Sequence, residues 1–307
     1  MPIVLDASTV IGDCLRLSQG KNALLLFLAR EMQVSNLYAT QSVREEVEEH
    51  LREAALRGGF DPEAALSAWQ EQFAPLIGFV DISSASLSDP RSVALAARDA
   101  DDAPTASLAE LLAPCLVFSN DSDLVDSGIA HRNWGEMMVY ALEVGNMHAG
   151  VTAVLFLVML SGAGIYGLTE TAFRRLPRSA LIGLLGAGGA FGAGYWRSEL
   201  GVRHRSNLAS VVHRVNEKLL PFLQRVNECS DLLEQAAFVP DGQPTDVARV
   251  ARAVAVAPFP LRPAEISADI GLSTQKVAFL LRDPIFRRSA DSHYGLGARA
   301  VGGATSR

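Results

Sequence analysis

An α/β fold, a parallel sheet with crossover helices, is predicted for residues 1–145. Three observations predict it. Short apolar runs end in acids, helical patterns lie between them at the spacing of crossover connections, and those acids fall where strands give way to helices. Beyond residue 145 the sequence reads differently, as a hydrophobic helical hairpin, a long amphipathic helix and a small domain of three helices with a hairpin.

The elements follow in order. "PIVLDAS" reads as a short buried strand ending at Asp6, and "KNALLLFLAREM" as a helix with a broad apolar face. "YATQSVREEVEEHLREAALRG" begins as a strand and becomes a helix that stops near Gly58 and Gly59. "LIGFVDIS" is a second strand of this kind, "DDAPTASLAELLA" a helix that opens on acids, and "PCLVFSNDSDL" a further strand. Strands alternating with helices in this way place Asp6 and Asp121 at the carboxyl ends of parallel strands, the edge where open α/β sheets build their sites.

Asp121 and Asp123 leave that last strand with only Ser122 between them. Two close carboxylates repel, so a turn, a cation or water must offset the cost. Asp102 opens a helix facing the same edge, where the helix amino terminus partly compensates its charge. A fourth acid is expected from "SVREEVEEHL". At 100° per residue, Val43, Val47, Leu51 and Ala54 define the apolar face, Glu45 and Glu49 point nearly opposite, and Glu46 and Glu48 flank it. Only a flanking glutamate can reach a site tucked between helix and sheet. Clustered acids without His or Cys suit Mg²⁺ or Mn²⁺ rather than Zn²⁺. Asp99 and Asp101 read as solvated loop charges, Thr9 and Ser119 equally as pocket-lining hydroxyls or as ordinary strand-end polar residues, and His50, His131 and His148 receive no role.

Asp6 after the first strand, Val43-x-x-Glu46-Val47 in a helix, "RDADDAPTASLA" around Asp102 and "SNDSDL" around Asp121 together resemble the PIN-domain nucleases in residue type, order and spacing. The resemblance covers residues 1–145. It implies a metal-dependent phosphodiesterase, usually acting on single-stranded RNA, with Mg²⁺ or Mn²⁺ held by Asp6, Glu46, Asp102 and Asp121 and with Asp123 as an auxiliary ligand or supporting group. A noncatalytic, membrane-anchored nucleic-acid-binding regulator is the alternative from a different class. The presence of all four acids argues against it.

Charge divides the chain at the same place. Residues 1–145 carry 9 Lys+Arg against 22 Asp+Glu, a net of −13, and residues 146–307 carry 18 against 12, a net of +6. The front half has no overall field to attract nucleic acid, whereas the rear half suits phosphates or anionic headgroups. Cys14, Cys115 and Cys229 are far apart without metal-ligand spacing, which fits a reducing compartment. "MPIVLDAS" lacks the basic start and apolar run of a secretory signal.

No charged residue occurs from Ala149 to Thr169 or from Ser179 to Trp196. At 1.5 Å per residue each run approaches the roughly 30 Å of a bilayer core, and Gly188 and Gly192 form a GxxxG step for close helix approach. Residues 149–196 are therefore expected to form a transmembrane hairpin that holds the nuclease at the cytoplasmic face. A buried hairpin in a soluble cytoplasmic protein, or an interfacial insertion, is the rival, because Arg174, Arg175 and Arg178 would sit on the far side. Within residues 205–237, apolar positions from Leu208 to Ala236 recur at alternating spacings of four and three, a heptad seam that suggests self-association; Pro221 interrupts it, so a kinked amphipathic helix packed within one chain is the alternative.

Residues 244–298 read as three helices, with Gly271 in a turn, Ser273 as a cap and "FRRSADSHYGLG" as two strands. This segment resembles a winged helix-turn-helix domain. The resemblance implies DNA or RNA as a partner, with Lys276 at the start of a recognition helix and Arg287 and Arg288 positioned for phosphates.

Overall fold

The computed structural model describes residues 1–26, 37–82, 87–131, 133–144, 221, 224–257, 259–289 and 291–299. The expected hydrophobic hairpin, residues 149–196, lies outside them, as does the heptad seam before residue 221. Among the described residues no helix is long and apolar enough to cross a membrane. The chain divides into two compact units, one made of residues 1–139 and 233–307 and the other of residues 140–232.

The first unit is built on a five-stranded sheet. Strands β1 (Ile3–Leu5), β2 (Leu37–Thr40), β3 (Gly78–Val80) and β4 (Leu116–Phe118) are mutually parallel. All thirteen of their residues are buried, as expected of a parallel sheet covered on both faces. Helix α1 (Ala7–Ser18) follows β1, and Asp6 caps it by accepting a hydrogen bond from the Ser8 amide. Helix α2 (Gln41–Arg57) starts where the Thr40 hydroxyl accepts from the Val43 amide, and ends at Gly58. It buries Val43, Val47, Leu51 and Ala55. Ala55 thus replaces the expected Ala54, because the helix stays in contact along its i, i+4 row rather than crossing to the i+3 position.

A short helix α3 (Pro62–Ser67), a π-helical turn and a 3₁₀ turn lead into β3. Then come α4 (Pro90–Arg98), α5 (Ala103–Leu112), β4 and the single turn α6 (Ser122–Asp126). Helix α5 is buried nearly all round, with Thr105, Ala106, Ser107, Leu108, Ala109, Leu111 and Leu112 inside. A helix without a polar stripe must be covered on two sides. The sheet provides one cover, and the second comes from the far end of the chain.

That second cover is α7 (Asp246–Val256), followed by α8 (Pro263–Ile270), α9 (Thr274–Leu280) and the antiparallel pair β5 (Phe286–Arg288) and β6 (Tyr294–Leu296). Gly271 ends α8 at φ +70°, and the Ser273 hydroxyl caps α9 by accepting from the Lys276 amide. Val250, Ala251, Val254 and Ala255 of α7 share one buried cluster with Leu108, Leu111, Leu112 and Val117, and Ile266, Val277, Leu281 and Phe286 continue it. The segments on either side of residues 140–232 therefore have a joint core rather than one each.

Backbone bonds tie them as well. Strand β7 (Ala298–Arg299) extends the sheet antiparallel to β3, reached through Gly297 at φ +66°, where a Cβ would stand 2.4 Å from the Phe79 carbonyl oxygen. Only glycine permits that approach. The Tyr38 hydroxyl donates to the Ala255 carbonyl at 3.1 Å. Cys115 and Phe238 exchange backbone bonds at 3.3 and 2.8 Å. Buried Asp89 accepts from Arg91 Nε and Nη2, both at 3.0 Å, and from the Asp241 amide at 2.7 Å, while Arg91 Nη2 also reaches the Val239 carbonyl at 2.6 Å.

In the second unit, residues 141–144 and 224–232 are helical. Arg225 Nε donates to Glu143 Oε2 at 2.9 Å, and the Cys229 thiol donates to the same oxygen at 3.0 Å.

Candidate metal centre

The parallel strands run in the order 4-1-2-3, so the chain steps from β1 outward through β2 and β3 and then returns past β1 to β4, a reversal of direction beside β1. The crevice at such a reversal, outside the carboxyl ends, is where α/β sheets hold ligands. Asp6 follows β1 and Asp121 follows β4, so these two acids flank it.

Asp6 is buried, and its position is fixed by hydroxyls. Oδ2 accepts from Ser8 Oγ at 2.5 Å, the Ser8 amide at 3.2 Å and Ser119 Oγ at 2.8 Å. Ser119 Oγ in turn accepts from the Asp121 amide at 2.8 Å, and Ser8 Oγ accepts from the Asn120 amide at 3.0 Å. One web thus joins the β1 and β4 loops. Thr9 is buried too, donating to the Phe118 carbonyl at 3.1 Å, which supports β4 rather than lining the site. Asp121 caps α6 by accepting from the Asp123 amide at 2.6 Å.

Asp102 stands at the amino end of α5 but makes no side-chain cap. Its Oδ2 is buried with no hydrogen-bond partner. Burial pushes its carboxyl up to about 7, with further contributions from Asp121, Asp6, Asp99 and Asp123 in that order. Glu46, on the first turns of α2, is raised as well, first by burial and then by Asp6, with Asp101 and Asp121 adding to the effect and His50 opposing it. Asp6 and Asp121 therefore act electrostatically on both Glu46 and Asp102. Among the described residues, no three His, Cys, Asp or Glu side chains stand as a ready metal-holding group.

Asp123 is turned to a cation of the chain itself, paired with Arg98 Nε at 3.0 Å, while Arg98 Nη2 donates to the Asp123 carbonyl at 2.9 Å. Sequence reasoning passed over Ser8 and His50. It also read Asp99 and Asp101 as solvated, although both raise the carboxyl range of their neighbours. A serine two residues after a strand-end aspartate is a recognisable capping signal for Ser8. His50 lies one turn beyond Glu46 on the same helix, a spacing that could have drawn attention to it.

Comparison with known proteins fits this geometry. Residues 4–142 match the family model of the PIN domain. PIN domains are in general metal-dependent nucleases, commonly using Mg²⁺ or Mn²⁺. No curated protein and no solved structure matches the chain. The matched region takes in all four acids and stops before α7.

The C-terminal basic residues are placed unevenly. Lys276 forms an ion pair with Asp246 of α7, which partly neutralises it. Arg287 and Arg288 are exposed on β5, with Arg288 Nη2 donating to Ser292 Oγ at 2.9 Å. Phe279, on α9, is 66% exposed.

Proposed function

We propose that the chain is a ribonuclease that cleaves single-stranded RNA, with Asp6, Glu46, Asp102 and Asp121 holding Mg²⁺ or Mn²⁺. The observation that carries this reading is the buried, unpartnered Oδ2 of Asp102 among electrostatically coupled acids. An orphaned carboxylate oxygen of this kind is costly unless a cation answers it. The donors are carboxylates and hydroxyls, with no His or Cys in the set, which suits a hard divalent ion. Such an ion, when bound, lowers the pKa of a water and stabilises charge on a phosphodiester.

The chain's own residues do the rest. Ser8 and Ser119 hold Asp6 by one oxygen, leaving Oδ1 for coordination. Arg98 keeps Asp123 from adding a further free charge, so Asp123 acts as a supporting group rather than a ligand. Arg287 and Arg288, and Lys276 when released from Asp246, supply the phosphate contacts the acidic front half lacks, on RNA or DNA. Residues 149–196 tether the enzyme to the cytoplasmic face of a membrane, and the seam from Leu208 to Ala236 pairs two copies.

Full-length protein incubated with an unpaired RNA pool and Mn²⁺ tests the central claim. Asp6→Asn is expected to remove at least about 99% of the cleavage, in line with the loss of a metal ligand, while the circular-dichroism spectrum is unchanged. Cleavage by Asp6→Asn at the wild-type rate would overturn the assignment.

A further inference from the structure

We propose that Trp134 is a base-stacking subsite beside the metal centre, so that the enzyme grips one unpaired nucleobase of its RNA next to the scissile phosphate. The proposal rests on the ribonuclease reading and deepens it. Trp134 is half-buried, not a core residue. Its ring packs on buried Phe118, the last residue of β4, with centroids 5.5 Å apart and planes tilted by 33°. Its only donor, Nε1–H, is used by Asn120 Oδ1 at 2.8 Å. The indole is thus fixed in direction from two sides while part of its surface stays open to solvent.

Its location gives that surface a use. Asn120 lies directly before Asp121, and its amide donates to Ser8 Oγ, which donates to Asp6 Oδ2. Three hydrogen bonds, through Asn120 and Ser8, therefore link the indole to a proposed metal ligand. An indole kept only for stability would be better placed under cover, since its apolar area contributes most when removed from water. A preorganised aromatic surface next to a phosphodiester site matches how unpaired bases are held, by stacking that tolerates every base. A base inside a duplex cannot offer its face in this way. With a net charge of −13 over residues 1–145, long-range attraction is weak there, and a contact insensitive to salt is well suited to hold substrate.

The test uses full-length protein and short unpaired RNAs carrying a single abasic site at successive positions. Indole emission is read on rapid mixing, before turnover, and KM and kcat are read from initial rates. Unpaired RNA is expected to quench wild-type emission and the matched duplex is not, and the quench should vanish in Trp134→Phe, which removes that indole while Trp69 and Trp196 go on emitting. Trp134→Ala should raise KM roughly tenfold with kcat little changed, while Trp134→Phe keeps most of the affinity. One abasic position should cost wild type about as much as Trp134→Ala does, and cost Trp134→Ala nothing more. Equal quenching by duplex, absence of quenching, or abasic penalties identical in wild type and Trp134→Ala would each overturn the subsite. If Trp134→Ala fails to fold, Trp134→Leu with the same abasic series decides. Should wild type bind and quench but not cleave, the subsite stands and the nuclease reading falls.

Discussion

Replacing Asp102 by Asn separates the metal reading from ordinary surface chemistry, because its effect on stability must change with pH. In the folded chain burial and the neighbouring acids push the Asp102 carboxyl up to about 7, from an ordinary 3.8. The folded state therefore holds a proton that the unfolded state releases. Stability is fully present below the unfolded value and is lost as pH rises through the folded one. Three units at about 1.4 kcal/mol each would amount to roughly 4 kcal/mol. The side chain is only partly buried, so solvent screening should cut this by half or more, to about 2 kcal/mol above pH 8. Asn does not titrate, so Asp102→Asn should be more stable than wild type in metal-free buffer. The advantage should grow by about 1 kcal/mol between pH 5 and pH 8. Urea unfolding of both full-length proteins in EDTA at those two pH values measures it. Mn²⁺ at 100 times its dissociation constant should then stabilise wild type by about 2.7 kcal/mol and the variant by much less. An advantage that is the same at both pH values, or equal stabilisation of both proteins by Mn²⁺, would refute the reasoning.

Two further outcomes follow from the joint core and its ties. A chain ending at residue 144 loses the α7 face that covers Leu108, Leu111 and Leu112, so it is expected to aggregate or to show no cooperative thermal transition, checked by size-exclusion chromatography and calorimetry; a melt matching that of the full chain would show that the front segment is self-sufficient. Asp89 is held down at about 2, chiefly by its hydrogen bonds to Arg91, so it adds stability above pH 4 that disappears as pH falls toward 2. Asp89→Asn should cost about 1–2 kcal/mol at pH 7 and much less near pH 2.5, read by urea titration, and an equal cost at both would count against the ion pair.

The sequence made the sheet and the identity of its edge acids legible because both depend on local rules. β1 and β4 are short apolar runs ending in Asp6 and Ser119-Asn120-Asp121, and period and turn chemistry mark such ends directly. The state of those acids was not legible. The raised carboxyl of Asp102 depends on burial and on Asp121 and Asp6, residues brought near only by the order of the strands. Arg98 and Asp123 are likewise 25 positions apart, and nothing local joins them.

The packing of the C-terminal segment was hidden for a related reason, although one signal for it was present. Residues 103–112 carry Glu110 as their one charge, and Ala106 and Ser107, on the side away from Leu108, Ala109, Leu111 and Leu112, are buried as well. One sheet face cannot cover all of them, so the pattern itself required a second partner. The sequence could not say which apolar helix that would be, and α7, more than 130 residues away, fills the role. This bears on function as well as stability. Asp102 stands at the amino end of α5, so the helix clamped between sheet and α7 is the one that aims a proposed ligand. A change at the α5–α7 contact, such as Val254→Ala, should therefore loosen the site along with the core. Removing two methyls from a buried valine costs on the order of 1–3 kcal/mol of stability. If α5 positions Asp102, the same change should weaken Mn²⁺ binding while Asp6, on the other side of the crevice, keeps its hydroxyl partners. Unaltered Mn²⁺ affinity in a measurably destabilised Val254→Ala protein would show that the C-terminal segment supports the fold but not the centre.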